Sequence, residues 1–292
     1  MSKSIEKEIL DMFELLEKQC DKSMKPLLEA YKRELNIIRN DIYRIWGKYT
    51  LNGELSISND MKLATMRDIE KKLVKMASKL GELDTEITTS ILMQLGEESY
   101  YRTAFAIDKV CKFNSSFSLI TKELIESIVF MPYKEEMFSS RIWKNKELLV
   151  NRIRDIIEAG IIQGKNSDKI ARLVAKEFGV SAYNSKRLIR TEMARVTGEA
   201  QDRIYKNSNV VSKVMYVATL DGKTCSRCRE YDGQIWDKND PSKPQIPLHP
   251  ITRSRYIGIV DGYIPTTRIN NETKETIEYK NYKEWYKAKV EP

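Results

Sequence analysis

Residues 181–219 read SAYNSKRLIRTEMARVTGEAQDRIYKNSNVVSKVMYVAT, and within them the chain changes from a helical to an extended pattern. Ser181 is a good helix-capping residue and opens a predicted long helix that runs to about Asn207. Val211–Thr219 is instead rich in β-branched and aromatic residues, which predicts a strand. The fold is therefore expected to join a helical region to a smaller module that contains strands.

Upstream of this point the sequence predicts helices almost throughout. Apolar residues recur every three or four positions from Ile5 to Tyr49, as one helix or as two helices broken near Pro26, and Leu51-Asn52-Gly53 ends the run. Capping residues and glycines mark further helices, at Asn59–Gly81, at about Glu82–Cys111, at Arg141–Glu158, and at Lys169–Phe178 with Gly179 as its end. Lys112–Met131 has a mixed pattern that Pro132 closes.

Downstream of the first strand the chain is rich in turns. Asp221-Gly222 predicts a turn, and Tyr231–Trp236 predicts a tight hairpin. A proline-rich loop, DPSKPQIPLHP at 240–250, leads to a second predicted strand at Arg255–Val260. The polar tail beyond Pro265 contains NYKEWYKA at 281–288, whose aromatic residues suit docking.

These patterns predict a mainly α fold: long N-terminal helices with a small C-terminal α+β module that is rich in loops and that zinc would stabilise. The predicted domains are a helical region at 1–140, a second domain at 141–264 and a polar tail at 265–292. The second domain divides into helices at 141–207 and a small β module at 208–264.

Composition indicates a folded soluble protein, with 41% hydrophobic and 32% charged residues in 292. No stretch approaches the roughly 18 consecutive apolar residues of a spanning helix, so no membrane partner is expected. The N-terminus lacks the apolar core of a secretory signal, which predicts synthesis in a cytoplasm.

Positive charge is concentrated in the middle of the chain. Residues 141–207 contain 15 basic and 8 acidic residues, a net charge of +7 out of +8 for the whole chain. Such a field suits a phosphate backbone or an acidic protein surface, whereas the alternative is a solvated helix surface rich in lysine. The residues predicted to contact DNA or a protein partner are Lys186, Arg187, Arg195 and Arg203.

The sharpest local pattern is Cys225-Ser-Arg-Cys228 followed by His249, the single histidine of the chain. Two thiolates two residues apart and a distant imidazole can share one tetrahedral Zn²⁺, with Asp221, Asp232 or a water as the fourth ligand. The alternatives are two free thiols in a core without metal and a redox dithiol, which the absence of a thioredoxin-like βαβ pattern disfavours. Cys20 and Cys111 lie in apolar helical surroundings and are expected to be buried.

Enzyme patterns are missing from the sequence. It has no P-loop, no Ser/His/Asp order and no glycine-rich dinucleotide turn, and a single histidine cannot act as both metal ligand and base. The chain is therefore predicted not to be an enzyme and to have no catalytic residues. The alternative is a cytoplasmic DNA-binding or nuclease-like protein, in which Gly179-Val180-Ser181 would be the turn of a helix-turn-helix.

An ordered set of motifs resembles the phage Mu F-like head-morphogenesis family of minor capsid proteins over roughly residues 141–262. The set is LIRTE at 188–192, ATLD at 218–221, KTCSRC at 223–228, YDG at 231–233 and PLHP at 247–250. The resemblance implies a structural protein of the virion, held inside the procapsid near the portal, that aids head assembly and DNA packaging or ejection. It implies as partners the portal protein, the major capsid or scaffolding protein and packaged double-stranded DNA, with assembly in the host cytoplasm.

The chain departs from this family after His249-Pro250, where the family commonly has Cys-Arg-Cys. Thr252 and Ser254 occupy those cysteine positions and cannot supply thiolates, which leaves a zinc site short of ligands.

Four other residues are assigned structural roles: Arg190, Glu192, Asp221 and Trp236. Successive helical residues point in different directions, so Arg190-Thr191-Glu192 is not one catalytic face. Arg190 is expected to bond a carboxylate that ties the long helix to the β module.

Overall fold

A computed structural model describes residues 5–51, 54–55, 58–110, 117–260, 267–270, 273 and 275–278. The helices are α1 (Ile5–Ser23), α2 (Lys25–Tyr49), α3 (Asn59–Val110), α4 (Lys122–Val129), α5 (Phe138–Ile162), α6 (Ser167–Asn207) and α7 (Ser226–Tyr231). The strands are β1 (Thr50–Leu51), β2 (Glu54–Leu55), β3 (Val211–Val217), β4 (Ile235–Asp237), β5 (Arg255–Val260), β6 (Thr267–Ile269) and β7 (Thr276–Glu278). The predicted fold class, mainly α with a small α+β module, is confirmed.

The apolar stripe from Ile5 to Tyr49 forms two helices, as the second of the two predicted alternatives has it. Only Met24 separates α1 from α2, and Pro26 lies in the first turn of α2, where its missing N–H breaks no helical hydrogen bond. Most side chains of the stripe are buried, including Ile9, Leu16 and Ile38.

Two predicted helix ends are wrong, because α3 continues through Gly81 and α6 continues through Gly179. A Cβ at Gly81 would lie 2.5 Å from the Trp143 ring, so this glycine allows a close side-chain approach and does not end a helix. Gly179 has nothing within 4 Å of its Cβ position, and one glycine costs a long helix only about 1 kcal/mol. The continuous α6 also removes the turn that the helix-turn-helix alternative required.

The three-stranded antiparallel sheet has the order β4-β3-β5. The predicted second strand, Arg255–Val260, is confirmed as β5. Val214 pairs with Trp236 of β4 and with Gly258 of β5. The predicted hairpin at Tyr231–Trp236 is wrong: Tyr231 ends the short helix α7, and the turn at Gly233, with φ of +81°, leads from that helix into β4.

Short strand pairs, β1 with β2 and β6 with β7, complete the described secondary structure. Asn52-Gly53, Cys111 and the aromatic segment at 281–288 lie outside the described residues. Within the described ranges, no helix combines the length and the apolar content that crossing a bilayer requires.

Contacts divide the chain into two compact units. The unit that we call the sheet unit comprises residues 1–21, 91–131 and 190–292, and the one that we call the helical unit comprises 22–90 and 132–189. Each is assembled from separate segments, so the domain boundaries predicted by sequence position stay a prediction.

Candidate metal centre

The start of α7 and the proline-rich loop bring three metal-binding side chains together in the sheet unit. Cys225 precedes α7 as its capping residue, and Cys228 follows within its first turn. The Nε2 atom of His249 lies 3.1 Å from Sγ of Cys225 and 3.2 Å from Sγ of Cys228. The three ligand atoms all lie within 4.8 Å of one another, as the spacing in the sequence predicts for a shared ion.

Hydroxyl groups surround the sulfur of Cys228. Oη of Tyr216 lies 3.5 Å and Oγ1 of Thr252 lies 3.7 Å from this sulfur. Burial acts to raise the pKa of the Cys228 thiol, but hydrogen bonds from Ser254, Tyr216, Thr252 and His249 outweigh it and lower that pKa to about 7. The thiolate, which is the form that binds metal, is therefore accessible at neutral pH at Cys228.

Cys225 differs from its neighbour in exposure. It is half-buried, whereas Cys228 is 2% exposed. Burial raises the pKa of the Cys225 thiol. Without a cation, Cys228 is therefore the first of the two to lose its proton.

The imidazole of His249 is held in a suitable orientation for a metal ligand. Its Nδ1 lies 2.9 Å from the carbonyl oxygen of Pro250, which assigns the ring proton to Nδ1 as a donor. The lone pair of Nε2 then faces the two sulfurs. A ligand histidine that donates its other ring proton to a carbonyl is the usual arrangement in metal sites.

The three donors fit zinc in type and nearly in spacing. Bonds of about 2.3 Å to sulfur and about 2.0 Å to nitrogen place tetrahedral ligand atoms about 3.5 Å apart. The two nitrogen–sulfur separations, 3.1 and 3.2 Å, need to grow by only a few tenths of an ångström.

The two carboxylates considered as a fourth ligand bond elsewhere. Asp221 accepts two hydrogen bonds from the guanidinium of Arg253, and Asp232 accepts one from the backbone N–H of Ala218 at 2.7 Å. Thr252 and Ser254 are buried beside Cys228 but supply only neutral hydroxyls. Among the described residues, the donors that could hold a metal ion are therefore two sulfurs and one nitrogen.

Sequence reasoning missed Tyr216 as a neighbour of the cluster. Tyr216 lies in β3 and pairs in register with Tyr256 of β5, so strand pairing sets its position. The available signal was weak: a tyrosine inside an apolar strand needs a hydrogen-bond partner for its hydroxyl when buried.

An aromatic cluster packs against the sheet beside the candidate metal centre. The ring of Tyr216 lies 5.9 Å from that of Tyr231 and 5.5 Å from that of Tyr256, and Trp236 lies 6.0 Å from Tyr231. Trp236, predicted to be structural, thus joins β4 to α7 and β5 by aromatic packing.

Arg190 does bond a carboxylate, but the partner differs from the expected one. Its Nε and Nη2 atoms donate to Asp21 of α1 at 3.1 and 2.5 Å, so the predicted tie to the β module is corrected to a tie between α6 and α1. Glu192 accepts a hydrogen bond from Arg195 at 2.6 Å, one turn along the same helix.

The structure corrects one member of the predicted DNA-contact set. Arg195 is 6% exposed and donates to the carbonyl oxygens of Ile128 and Val129 at the end of α4, so its guanidinium is not available to a phosphate. Arg203 is half-exposed and pairs with Glu199 at 3.0 Å. Lys186 is half-buried and Arg187 is exposed.

Comparisons with known proteins point to phages. The model of the family described as Phage Mu protein F like protein matches residues 151–254. The minor head protein GP7 of Bacillus phage SPP1 is 24% identical over 289 residues, which cover 91% of this chain and 92% of that protein. No solved structure matches the chain.

A second relative has a different name. The NAD(+)–arginine ADP-ribosyltransferase EFV of Enterococcus faecalis (strain ATCC 700802 / V583) is 24% identical over 280 residues. The match covers 90% of this chain but only 57% of the length of that protein.

Along the chain, α5 and α6 are followed by the small sheet, the Cys-x-x-Cys and the His-Pro loop, and the family model matches this part of the sequence. Residues 151–254 match the model of the Phage Mu protein F like family, so the resemblance predicted from the ordered motifs is confirmed.

Proposed function

We propose that this chain is a minor head protein of a tailed phage: a structural component held inside the procapsid near the portal, where it aids head assembly and DNA packaging or ejection. The observation that carries the proposal is the reciprocal coverage of the SPP1 minor head protein, 91% of one chain and 92% of the other. A match along nearly all of both chains supports a shared role for the whole protein rather than for one borrowed module.

The enterococcal relative does not lead us to propose an enzyme. Much of that protein lies beyond the match, since the chain spans 57% of its length. We therefore do not transfer the activity in its name to this chain. The family match favours a structural role without catalysis.

Contact with packaged DNA is the second part of the proposal. The net charge of +7 over residues 141–207 supports it, because an interior head protein faces a dense array of phosphates. The proposed contact is independent of base sequence.

A zinc ion in the candidate metal centre is the third part. Cys225, Cys228 and His249 supply the donors that zinc prefers, and the loop-rich segment that they cross-link has few large apolar side chains. Bound zinc would add stability to this module by joining α7 to the proline-rich loop.

Co-expression of the chain with the capsid, scaffolding and portal proteins of the same phage tests the structural role. We expect mass spectrometry to find the chain in purified procapsids at a low, fixed ratio to the capsid protein, and to lose it when the portal gene is omitted. Equal incorporation without the portal would contradict the portal partnership, and complete absence from procapsids would contradict the role itself.

A further inference from the structure

One face of helix α6 carries four basic side chains, of which the sequence prediction selected only Arg187. Lys169, Arg172, Lys176 and Arg187 are all exposed. Their spacing of three, four and eleven residues places them within an arc of about 60° on the helix surface. We call these four residues the α6 basic stripe, and it runs about 27 Å along the helix axis.

The rest of the helix fixes the direction in which the stripe faces. Ile170, Val174 and Phe178 are at most 2% exposed and belong to the core of the helical unit. They lie on the opposite side of α6 from the stripe. Because they are packed in the core, the basic side chains are directed away from it. Tyr183, in the same arc as the stripe, is 57% exposed.

The first three charges of the stripe have no carboxylate counterpart. Over the described parts of the chain, Lys169, Arg172 and Lys176 form no ion pair, and the Nε of Arg172 donates to the backbone carbonyl of Asp168 at 3.3 Å. The neighbouring acidic residues on α6, Asp168 and Glu177, fall outside the arc. On α1 and α2, by contrast, Lys18 pairs with Glu14 and Lys32 pairs with Glu29, each within one turn.

We propose that the α6 basic stripe is the surface that contacts the phosphate backbone of double-stranded DNA. The inference deepens the proposed DNA contact and rests on it. A straight row of cations separated by about 4.5 and 6 Å along the helix suits a regular line of phosphates. An exposed tyrosine in the same row can donate its hydroxyl to a phosphate oxygen.

The test compares two triple variants of the full chain with the same change in charge. The first, Lys169→Gln, Arg172→Gln and Lys176→Gln, removes three cations from the stripe and keeps good helix-forming residues. The second, Arg67→Gln, Lys71→Gln and Lys75→Gln, removes the same charges from an exposed part of α3 in the same unit. Binding to a duplex of random sequence is measured by fluorescence anisotropy over a series of salt concentrations.

We expect the slope of log K against log salt to lose about 2.7 in magnitude in the stripe variant, because each lost phosphate contact removes about 0.9. The α3 variant should change little. Circular dichroism melts should show both variants folded.

Three outcomes would overturn the inference, and they can be told apart. If the parent chain binds no duplex at low salt, the proposed DNA contact fails and the stripe fails with it. If the slope of log K against log salt decreases equally in both variants, the contact is diffuse and only the stripe assignment fails. If the stripe variant keeps its DNA affinity but no longer enters procapsids, the stripe is a protein-binding surface.

Discussion

The Nζ atom of Lys146 lies 2.5 Å from Oδ2 of Asp84, and these side chains are 1% and 0% exposed. The Ser185 hydroxyl donates to the same carboxylate oxygen at 2.6 Å and lies 3.0 Å from the hydroxyl of Tyr31. Residues of α2, α3, α5 and α6 therefore meet in one buried polar network at the centre of the helical unit. Such a network favours one arrangement of the helices, since a shift of α3 or α5 would separate the two buried charges and a shift of α2 or α6 would break buried hydrogen bonds.

Replacement of one partner should therefore cost more than replacement of both. Lys146→Met leaves the Asp84 carboxylate buried without its cation, and we expect the free energy of unfolding to fall by about 3–5 kcal/mol. The double variant Lys146→Met, Asp84→Leu should recover much of this loss, because no charge is then buried. Urea unfolding followed by circular dichroism measures both, and a single variant as stable as the parent would show that the pair does not support the fold.

Arg195 should behave as a structural residue. Arg195→Ala removes the cation from the buried carboxylate of Glu192 and two donors from the carbonyls that end α4, so we expect a loss of about 3–5 kcal/mol. Arg195→Lys should also destabilise, because an ammonium cannot reproduce the fork of the guanidinium. Under conditions in which the Arg195→Ala protein is folded, the salt dependence of its DNA binding should remain that of the parent chain, because Arg195 is buried. A reduced slope in this variant would return Arg195 to the DNA surface.

Elemental analysis of protein purified without chelator should find about one zinc per chain. Cys225→Ser and His249→Ala should each lose the metal, and near-ultraviolet circular dichroism should show a loosened environment for Trp236 while the far-ultraviolet helical signal persists. Cobalt substitution gives a second readout, since thiolate ligands produce a charge-transfer absorption that Cys228→Ser would remove or weaken.

The matched control for the zinc prediction is Cys20→Ser, which removes a buried thiol outside the cluster. It should keep the metal of the parent chain. A parent chain without zinc whose Cys225→Ser variant melts at the same temperature would mean that packing alone holds the module.

The ion pair between Asp221 and Arg253 predicts a pH dependence. Burial acts to raise the pKa of Asp221, but hydrogen bonds and the positive charge of Arg253 outweigh it and hold that pKa below its ordinary value. A depressed folded pKa contributes stability above the unfolded pKa of about 3.9, and this contribution is lost as pH falls through the folded value.

Asp221→Asn should therefore be less stable than the parent at pH 7, and the difference should shrink below about pH 4. Thermal melts from pH 3 to pH 7 measure it. A difference that stays constant over this range would show that the charge of Asp221 contributes nothing and that its hydrogen bonds alone matter.

Local pattern predicted much of the fold. The stripe from Ile5 to Tyr49 and the β-branched run at Val211 each contain their own signal, because side-chain periodicity and β-propensity act within a few residues. Helix ends at glycine could not be predicted in the same way. Whether Gly81 ends a helix or receives the ring of Trp143 depends on a residue 62 positions away.

In the candidate site too, features with a local sequence signal were predictable and contacts between distant residues were not. The grouping of Cys225, Cys228 and His249 follows from residue types and spacing alone. The partner of Arg190 does not, because Asp21 comes from a helix 169 residues earlier in the chain. The burial of Arg195 was hidden for the same reason: a basic residue on a helix has no local mark that tells a buried ion pair from an exposed contact.

The glycines inside the long helices supply the last prediction, in which one substitution type has opposite effects at two positions. Gly179→Ala should raise the free energy of unfolding by about 0.5–1 kcal/mol, since alanine is the better helix former and its Cβ meets nothing within 4 Å. Gly96→Ala should lower it, because its Cβ would lie 2.6 Å from Cδ1 of Ile125 and 2.7 Å from Cγ1 of Val196. Both side chains are buried in the sheet unit. Moving them aside costs more free energy than the better helix propensity of alanine contributes. Urea unfolding of the two variants beside the parent is the measurement, and a Gly96→Ala protein as stabilised as Gly179→Ala would show that α3 does not pack closely against α4 and α6 at this position.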